Sequence, residues 1–140
     1  MGRDDRLIFL LGQARHRLMT NLDRSLLDTA SITTAQSGAL FYLMENNGCL
    51  LRELSKALML DNSAITGMVD RLENKNFVER RTSSRDRRAI NVYLTDKGLE
   101  AATKALSIAR RYNNTIMKGF SSDEIDVFRR ILQSIIDRFG

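Results

Sequence analysis

The spacing of the apolar residues differs in one segment of the chain, and this difference limits the folds that are open to it. At Ile90, Val92 and Leu94 apolar side chains occupy every second position, which is the period of a half-buried β-strand. The segment from Phe77 to Thr82 can pair with this strand, with Ser83 to Arg87 as a flexible connection. On both sides of this hairpin apolar residues recur every three or four positions, as they do in amphipathic helices. The chain is therefore predicted to be mainly α-helical with one small β-hairpin.

Six helices are predicted from this periodicity and from side chains that can cap a helix N-terminus. Two of them begin with a capping box, a Ser or Thr followed three residues later by Gln or Glu, at Thr33 and at Ser121. Thr95 and the pair Asp61-Asn62 are predicted to cap two others. The predicted helices cover about residues 4–29, 33–45, 51–58, 62–74, 96–118 and 122–139.

The composition indicates a single intracellular domain without a membrane span. The chain has 140 residues, of which 43% are hydrophobic, a normal fraction for one globular domain. Its apolar runs, such as Leu7 to Leu11, are too short to cross a bilayer, and its opening residues are charged where a secretory signal would be apolar. The single cysteine, Cys49, excludes an internal disulfide and fits a reducing compartment. We therefore expect a cytoplasmic protein with no membrane partner.

Positive charge is concentrated in and around the predicted hairpin. Between Lys75 and Lys97 seven basic and three acidic residues give a net charge of +4, whereas the whole chain carries +5. Five of the basic residues are arginines between Arg80 and Arg88, with one acid, Asp86, among them. A solvated surface usually mixes its signs, so this concentration favours an anionic partner.

Residues that would support catalysis or metal binding are not grouped in this sequence. His16 is the only histidine and lies between two arginines on the first predicted helix, where a solvated or interface role suits it better than catalysis. Histidine and cysteine do not occur at metal-ligand spacings, and no glycine-rich loop joins a strand to a helix to hold a phosphate. We therefore predict no catalytic residue, no metal and no tightly bound cofactor, and we interpret the protein as a non-enzyme.

The fourth predicted helix has two different faces, because at about 100° per residue its apolar residues fall on one side and small polar residues on the other. Glycine inside a helix costs about 1 kcal/mol relative to alanine. Gly67 on the polar side would be explained either by close approach of another backbone or by tolerance at the surface. With the short helix before it this helix forms a helix-turn-helix, and the hairpin behind it is a wing. The apolar positions are Ile65, Met68, Val69 and Leu72, and the polar positions are Ser63, Thr66, Gly67, Asp70 and Asn74, with Arg71 at the margin.

The segment from Leu50 to Gly98 resembles the MarR family of winged helix-turn-helix regulators, and the similarity extends back to Thr33. The segment reads LLRELSKALMLDNSAITGMVDRLENKNFVERRTSSRDRRAINVYLTDKG. The resemblance implies a homodimer that binds pseudo-palindromic double-stranded DNA, and repression that is relieved by a small, often aromatic or phenolic, effector. The most specific part of the resemblance is the wing signature, which comprises Asp86-Arg87-Arg88, Leu94-Thr95 and Lys97-Gly98.

The resemblance assigns DNA contacts to the fourth helix and to the wing. In the wing it points to Arg88 together with Asp86. We interpret Asp86 as an acceptor of hydrogen bonds from turn amides and from a guanidinium two residues away, which would order the wing and aim Arg88 or Arg87 into a minor groove. The remaining residues of the predicted DNA-binding set are Asn62, Ser63, Ala64, Thr66, Gly67, Arg71, Arg81 and Arg85.

The resemblance also bears on the organisation of the chain and on sensing. It implies one domain over residues 1–140, in which residues 33–98 form the winged helix-turn-helix and residues 1–32 and 99–140 are dimerisation helices. Cys49 does not match the N-terminal helix cysteine of the peroxide-sensing branch of the family, and the histidines of the zinc-sensing branch are absent. Two other functions stay open: a winged-helix module that docks an acidic protein through the arginine loop, and an enzyme with an unrecognised site around His16.

Overall fold

The computed structural model describes residues 4–140, and this part of the chain contains six helices and three short strands. The prediction of a mainly helical chain with a small hairpin is confirmed. None of the described helices is long and apolar enough to cross a membrane. The elements are α1 (Leu7–Ala30), α2 (Thr34–Glu45), β1 (Cys49–Leu50), α3 (Leu51–Ala57), α4 (Asn62–Asn74), β2 (Val78–Thr82), β3 (Ile90–Leu94), α5 (Asp96–Met117) and α6 (Ser122–Phe139).

The chain divides into two compact units, one that ends at Ile108 and one that runs from Ala109 to Gly140. The first unit contains a core of apolar side chains from α1 to α5 and from the sheet. The predicted inward face of α4 belongs to this core, since all four of its apolar residues are buried. Its largest fully buried side chains are those of Leu26, Ile32, Leu40, Leu43, Leu54, Ile65, Val69, Leu72, Val78 and Val92.

The helix starts that were predicted from capping residues are confirmed. The Thr33 hydroxyl accepts the N–H of Gln36 at 3.1 Å, and the Gln36 side chain accepts the N–H of Thr33 at 3.1 Å, which completes a capping box. Ser121 and Glu124 form the same reciprocal pair at the start of α6. At the start of α4 a carboxylate oxygen of Asp61 accepts the N–H of Ala64 at 2.7 Å. These bonds are local in sequence, and so the sequence pattern is sufficient to place them.

The sheet contains one strand that the sequence did not predict. β3 lies between β1 and β2 and is antiparallel to both, with Val92 opposite Cys49 on one side and Arg80 on the other. The side-chain amide of Asn91 also donates to the carbonyl of Gly48 at 2.8 Å. β1 is only two residues long, and it is a strand because of these long-range bonds rather than any periodicity of its own. Because α3 begins directly after β1, the added strand connects the helix-turn-helix to the wing.

The start of α5 packs against the turn between α4 and β2. The N–H of Thr95 donates to the carbonyl of Phe77 at 3.1 Å, and its hydroxyl donates to the carbonyl of Asn76 at 2.6 Å. The same hydroxyl accepts the N–H of Gly98 at 2.9 Å, which confirms Thr95 as a cap. Gly98 is buried against the Phe77 carbonyl, and a side chain at this position would overlap that carbonyl. Thr95 and Gly98 of the wing signature therefore close the hairpin onto the body of this unit.

The second unit, formed by residues 109–117 of α5 and by α6, leaves an apolar surface uncovered. None of the α6 residues is buried, although Phe128, Ile131 and Ile136 are large apolar residues with 46%, 52% and 60% of their surface exposed. Part of this surface forms a groove of about 510 Å³. The residues that line the groove are Ile116, Phe120, Glu124, Ile125, Val127, Phe128 and Ile131.

Candidate nucleic-acid interface

The polar side of α4 is exposed along its first two turns, at Asn62, Ser63, Ala64 and Thr66. The Thr66 hydroxyl donates its only proton to the carbonyl of Asn62 at 2.7 Å. Because that proton is used within the helix, the hydroxyl oxygen is available only as an acceptor, and the methyl group is available for apolar contact. Short side chains with these properties can approach base edges in a major groove.

Gly67 lies on this polar side with open space in front of it. A Cβ atom built at this position would meet only the guanidinium of Arg71, at 3.7 Å, which is ordinary van der Waals contact with a flexible side chain. No backbone within residues 4–140 therefore requires a glycine here. The close approach considered from the sequence has to come from a group outside the chain, or the glycine is simply tolerated.

The wing turn is ordered by Asp86. One of its carboxylate oxygens accepts the N–H of Arg88 at 2.9 Å, and its carbonyl accepts the N–H of Ala89 at 3.0 Å. Across the turn the N–H of Ser83 donates to the carbonyl of Ala89 at 2.9 Å. The predicted hydrogen bond from a turn amide is present. The predicted contact with a guanidinium is not formed in the described part of the chain, where the side chains of Arg85, Arg87 and Arg88 are exposed.

The wing turn and the start of α4 lie on the same side of the first unit and line one cleft. It has a volume of about 260 Å³, and its lining includes Asn62 and Thr66 of α4 together with Asp86 and Arg88 of the wing. Arg52, an exposed residue on the first turn of α3, completes its polar lining. No local sequence pattern selects Arg52, because its position beside the wing depends on the packing of α3 and β1 against β3. The structure thus places residues from both predicted segments around one cleft.

Other cations of the basic segment are engaged within the fold. The Lys75 ammonium donates to the carbonyl of Ser31 at 2.6 Å and to the side chain of Gln36 at 3.0 Å. Burial, together with the nearby Arg71, holds the pKa of Lys75 below its ordinary value. Lys97 lies over the ring of Phe77, with 5.6 Å from its nitrogen to the ring centroid. The concentration of charge seen in the sequence therefore overstates the charge that is free to meet a partner.

Arg80 and Arg81 follow each other on β2 but have different surroundings. The Arg80 guanidinium contacts the carboxylates of Asp70 and Glu73 on α4, at 2.5 Å and 3.1 Å. These contacts, chiefly the hydrogen bond with Glu73, raise the pKa of Arg80, and the same bond lowers the pKa of Glu73. Arg81 forms an ion pair with Glu79 and lies over the ring of Tyr93, 4.3 Å from the ring centroid. Its side chain is 61% exposed, so it is still open to an anion.

Comparison with known proteins decides which family has this arrangement. The MarR family profile matches residues 32–90. The organic hydroperoxide resistance transcriptional regulator of Bacillus subtilis is 33% identical over 108 residues, which are 77% of this chain and 73% of that protein. The chain belongs to the MarR family.

Other members of the MarR family match over greater lengths. The multiple antibiotic resistance protein MarR of Salmonella typhimurium is 29% identical over 133 residues, or 94% of this chain and 89% of that protein. The crystal structure of a cysteine-to-serine variant of MarR from E. coli, complexed with operator DNA, superposes with a TM-score of 0.76 at 28% identity and covers 96% of this chain and 99% of that one. The predicted family and the predicted winged helix-turn-helix fold are confirmed, and the chain is a transcriptional regulator of this family.

The single cysteine of this MarR-family chain lies inside the fold. Cys49 is buried in β1, and burial, with a smaller effect of Glu53, raises the pKa of its thiol. Since the thiolate is the reactive form, this environment suits a small buried side chain rather than an oxidation-sensitive one. His16 is exposed on α1, and the described residues contain no group of three His, Cys, Asp or Glu side chains that could hold a metal ion.

Proposed function

We propose that this MarR-family regulator is a homodimer that binds a pseudo-palindromic operator, with α4 in the major groove and the wing in the adjacent minor groove. The cleft described above carries the proposal, since Asn62 and Thr66 at the exposed start of α4 line it together with Arg88 of the wing. A major groove about 12 Å wide admits a helix, and a narrow minor groove attracts arginine. The E. coli relative whose structure holds operator DNA supports the same use of the fold.

The proposed contacts separate into three kinds. Base edges are met by Asn62, Ser63, Ala64 and Thr66, with Gly67 allowing the helix backbone to come close. Phosphates are met by Arg52, Arg71 and Arg81, and the minor groove is met by Arg85, Arg87 and Arg88, with Asp86 ordering the turn.

Selection of bound fragments from a random duplex library tests this proposal. We expect enrichment of a two-fold symmetric sequence whose half-sites are about one helical turn, or roughly 10 base pairs, apart. The half-site spacing tests the geometry of the dimer, and the symmetry of the enriched sequence tests its recognition by two copies of α4. Absence of enrichment above a random duplex, or enrichment of an asymmetric site, would contradict it.

The proposed dimer uses the apolar surface that the single chain leaves uncovered. A charge placed on that surface should be costly to bury, so Ile131→Glu is expected to raise the dimer dissociation constant by about a hundredfold or more. The change is measured by sedimentation equilibrium over a range of concentrations. Gln133→Glu is the control, because Gln133 is exposed on the polar side of the same helix and bonds Asp137. Equal dissociation constants for Ile131→Glu and the unmodified protein would place the dimer contact elsewhere.

Asp86 is expected to strengthen operator binding although its charge opposes DNA. Removing its carboxylate in Asp86→Ala frees the wing turn, and ordering that turn on binding then costs conformational entropy. We expect affinity to fall about tenfold for a dimer with two wings. In an Arg88→Ala background most of this loss should disappear, because the two residues act through one turn. A double-mutant cycle on one operator at fixed salt measures the coupling. Tighter binding by Asp86→Ala would show that removing the negative charge affects affinity more than losing the order of the wing turn.

The regulatory role is proposed to be repression in the cytoplasm, without a catalytic activity. The name of the B. subtilis relative refers to organic hydroperoxides, but the buried Cys49 does not support sensing through its thiol. A small aromatic or phenolic effector, as the family resemblance implies, is the proposed inducer. Release of a selected operator by such compounds, followed by fluorescence anisotropy, tests this part independently of DNA recognition.

A further inference from the structure

We propose that Arg80 is a positioning residue that holds the wing at a fixed angle to α4. Its guanidinium contacts Asp70 and Glu73 at 2.5 Å and 3.1 Å, and its backbone N–H donates to the second oxygen of Glu73 at 3.0 Å. We call these three residues the α4–β2 clamp. The inference rests on the proposed function, in which α4 and the wing reach two grooves of one duplex at the same time.

The clamp adds a second point of attachment between the hairpin and α4. The first is the turn at residues 75–77, where the N–H of Phe77 donates to the carbonyl of Leu72 at 3.0 Å. The base of the hairpin is also held by the pairing of β3 with β1 and by the bonds of Thr95 to the turn. The clamp acts on β2 itself, which it ties directly to α4. Asp70 and Glu73 lie three residues apart on α4, about 4.5 Å along the axis, so one guanidinium between them resists both swinging and sliding. Together with the pairing of β1 and β3, these contacts set the direction of β2, and the wing continues along that direction.

The surroundings of Arg80 do not suit a phosphate contact. Its side chain is 27% exposed, and the guanidinium is shared by two carboxylates, so the three groups together carry a net negative charge. Arg81 is the natural contrast, because it lies next to Arg80 on the same strand and its side chain is 61% exposed. Partly exposed ion pairs contribute little to global stability. The clamp is therefore expected to affect the direction of the hairpin more than the stability of the fold.

A fixed wing lowers the cost of binding. Arg85, Arg87 and Arg88 are exposed at the end of the hairpin, and each has to meet the minor groove while α4 occupies the major groove. A hairpin that swings has to be ordered when DNA binds, and the lost conformational entropy lowers the affinity. Losing the clamp should weaken operator binding without removing any charge that touches DNA.

The clamp is tested first on the free protein. Backbone amide residual dipolar couplings report the orientation of β2 and β3 relative to α4, and we compare the unmodified dimer with Arg80→Met, Glu73→Gln and the control Arg81→Met. We expect a single orientation to fit the unmodified protein and Arg81→Met. In Arg80→Met and Glu73→Gln the couplings of the hairpin should shrink or require a different orientation, while those of α2, α3 and α4 stay unchanged. This measurement needs no DNA, so it decides the clamp even if the proposed operator binding fails.

Binding is then measured on the duplex enriched by selection, at several salt concentrations. Glu73→Gln sets the two explanations against each other, because it removes a negative charge. Electrostatics alone predicts tighter binding for this variant, whereas loss of the clamp predicts binding about tenfold weaker. Arg80→Met should also bind about tenfold more weakly with an unchanged salt slope, and Arg81→Met should lower the slope by about one counterion per protomer.

Three results would overturn the inference. Unchanged hairpin couplings in the clamp variants would show that the turn, β1 and the start of α5 set the wing angle without the clamp. A salt slope reduced by Arg80→Met as much as by Arg81→Met would make Arg80 a phosphate contact. Tighter binding by Glu73→Gln would show that removing the negative charge affects affinity more than losing the fixed orientation of the wing. If Arg80→Met does not fold, Glu73→Gln, which keeps the arginine, still gives the first and third results.

Discussion

Replacing Gly98 with alanine is expected to destabilise the protein by about 3 kcal/mol or more. A Cβ atom built at Gly98 would lie 1.8 Å from the carbonyl oxygen of Phe77, 2.7 Å from its carbonyl carbon and 3.1 Å from its Cα. All three are backbone atoms, and that carbonyl also accepts the N–H of Thr95. Relief of the overlap requires α5 to move away from the α4–β2 turn, which would break the Thr95 bonds and open the core.

The loss is measured as the change in the free energy of unfolding by denaturant titration at a fixed protein concentration, because a dimer has a concentration-dependent stability. Gly38→Ala is the matched control. Its Cβ would lie 3.5 Å from the end of the Leu58 side chain, which is ordinary contact, and it lies inside α2. We expect this control to be neutral or to stabilise by up to about 1 kcal/mol. A loss below about 1 kcal/mol for Gly98→Ala would mean that the start of α5 shifts more easily than the packing suggests.

Features that depend on residues close together in sequence were predicted correctly. The capping residues Thr33, Asp61 and Ser121 mark helix starts because donor and acceptor lie three residues apart. The two faces of α4 follow from its period, and all four predicted core residues are buried. The hydrogen bond from the Arg88 N–H to the Asp86 carboxylate follows from the tendency of aspartate side chains to accept backbone hydrogen bonds in turns.

Features that depend on distant pairing were not predicted. β1 exists because Cys49 pairs with Val92, and no local pattern carries that information. The net charge of residues 75–97 counts every cation equally and does not show which cations are bound within the fold. Lys75 contacts the Ser31 carbonyl, and Arg80 contacts carboxylates of α4. The role of Gly98 was also missed, since the wing signature contains the glycine without showing that it faces the Phe77 carbonyl. The DNA contacts and the boundaries of the dimerisation helices stay predictions.

Replacing Gly67 with leucine is expected to have opposite effects on stability and on DNA binding. The helix should become more stable by up to about 1 kcal/mol, because leucine forms helices better than glycine and only the mobile Arg71 guanidinium lies near the new Cβ. Operator affinity should fall by about a hundredfold or more, because a bulky side chain would keep α4 away from the base edges that its short residues reach. Gly67→Ala should show the same gain in stability as Gly67→Leu and a smaller loss of operator affinity.

This pair of measurements separates DNA reading from the alternative of an acidic protein partner. A partner held through the wing arginines would not enter the space before Gly67, so it would tolerate leucine there as long as Arg85, Arg87 and Arg88 were intact. Thermal unfolding and anisotropy titrations on the selected operator and on a random duplex measure both effects. If Gly67→Leu bound the operator as tightly as the unmodified protein, α4 would not lie deep in a groove and the glycine would be a tolerated surface residue. A stabilised protein that no longer distinguishes operator from random DNA would instead show that the glycine is kept at a cost to the helix, because another molecule needs its space.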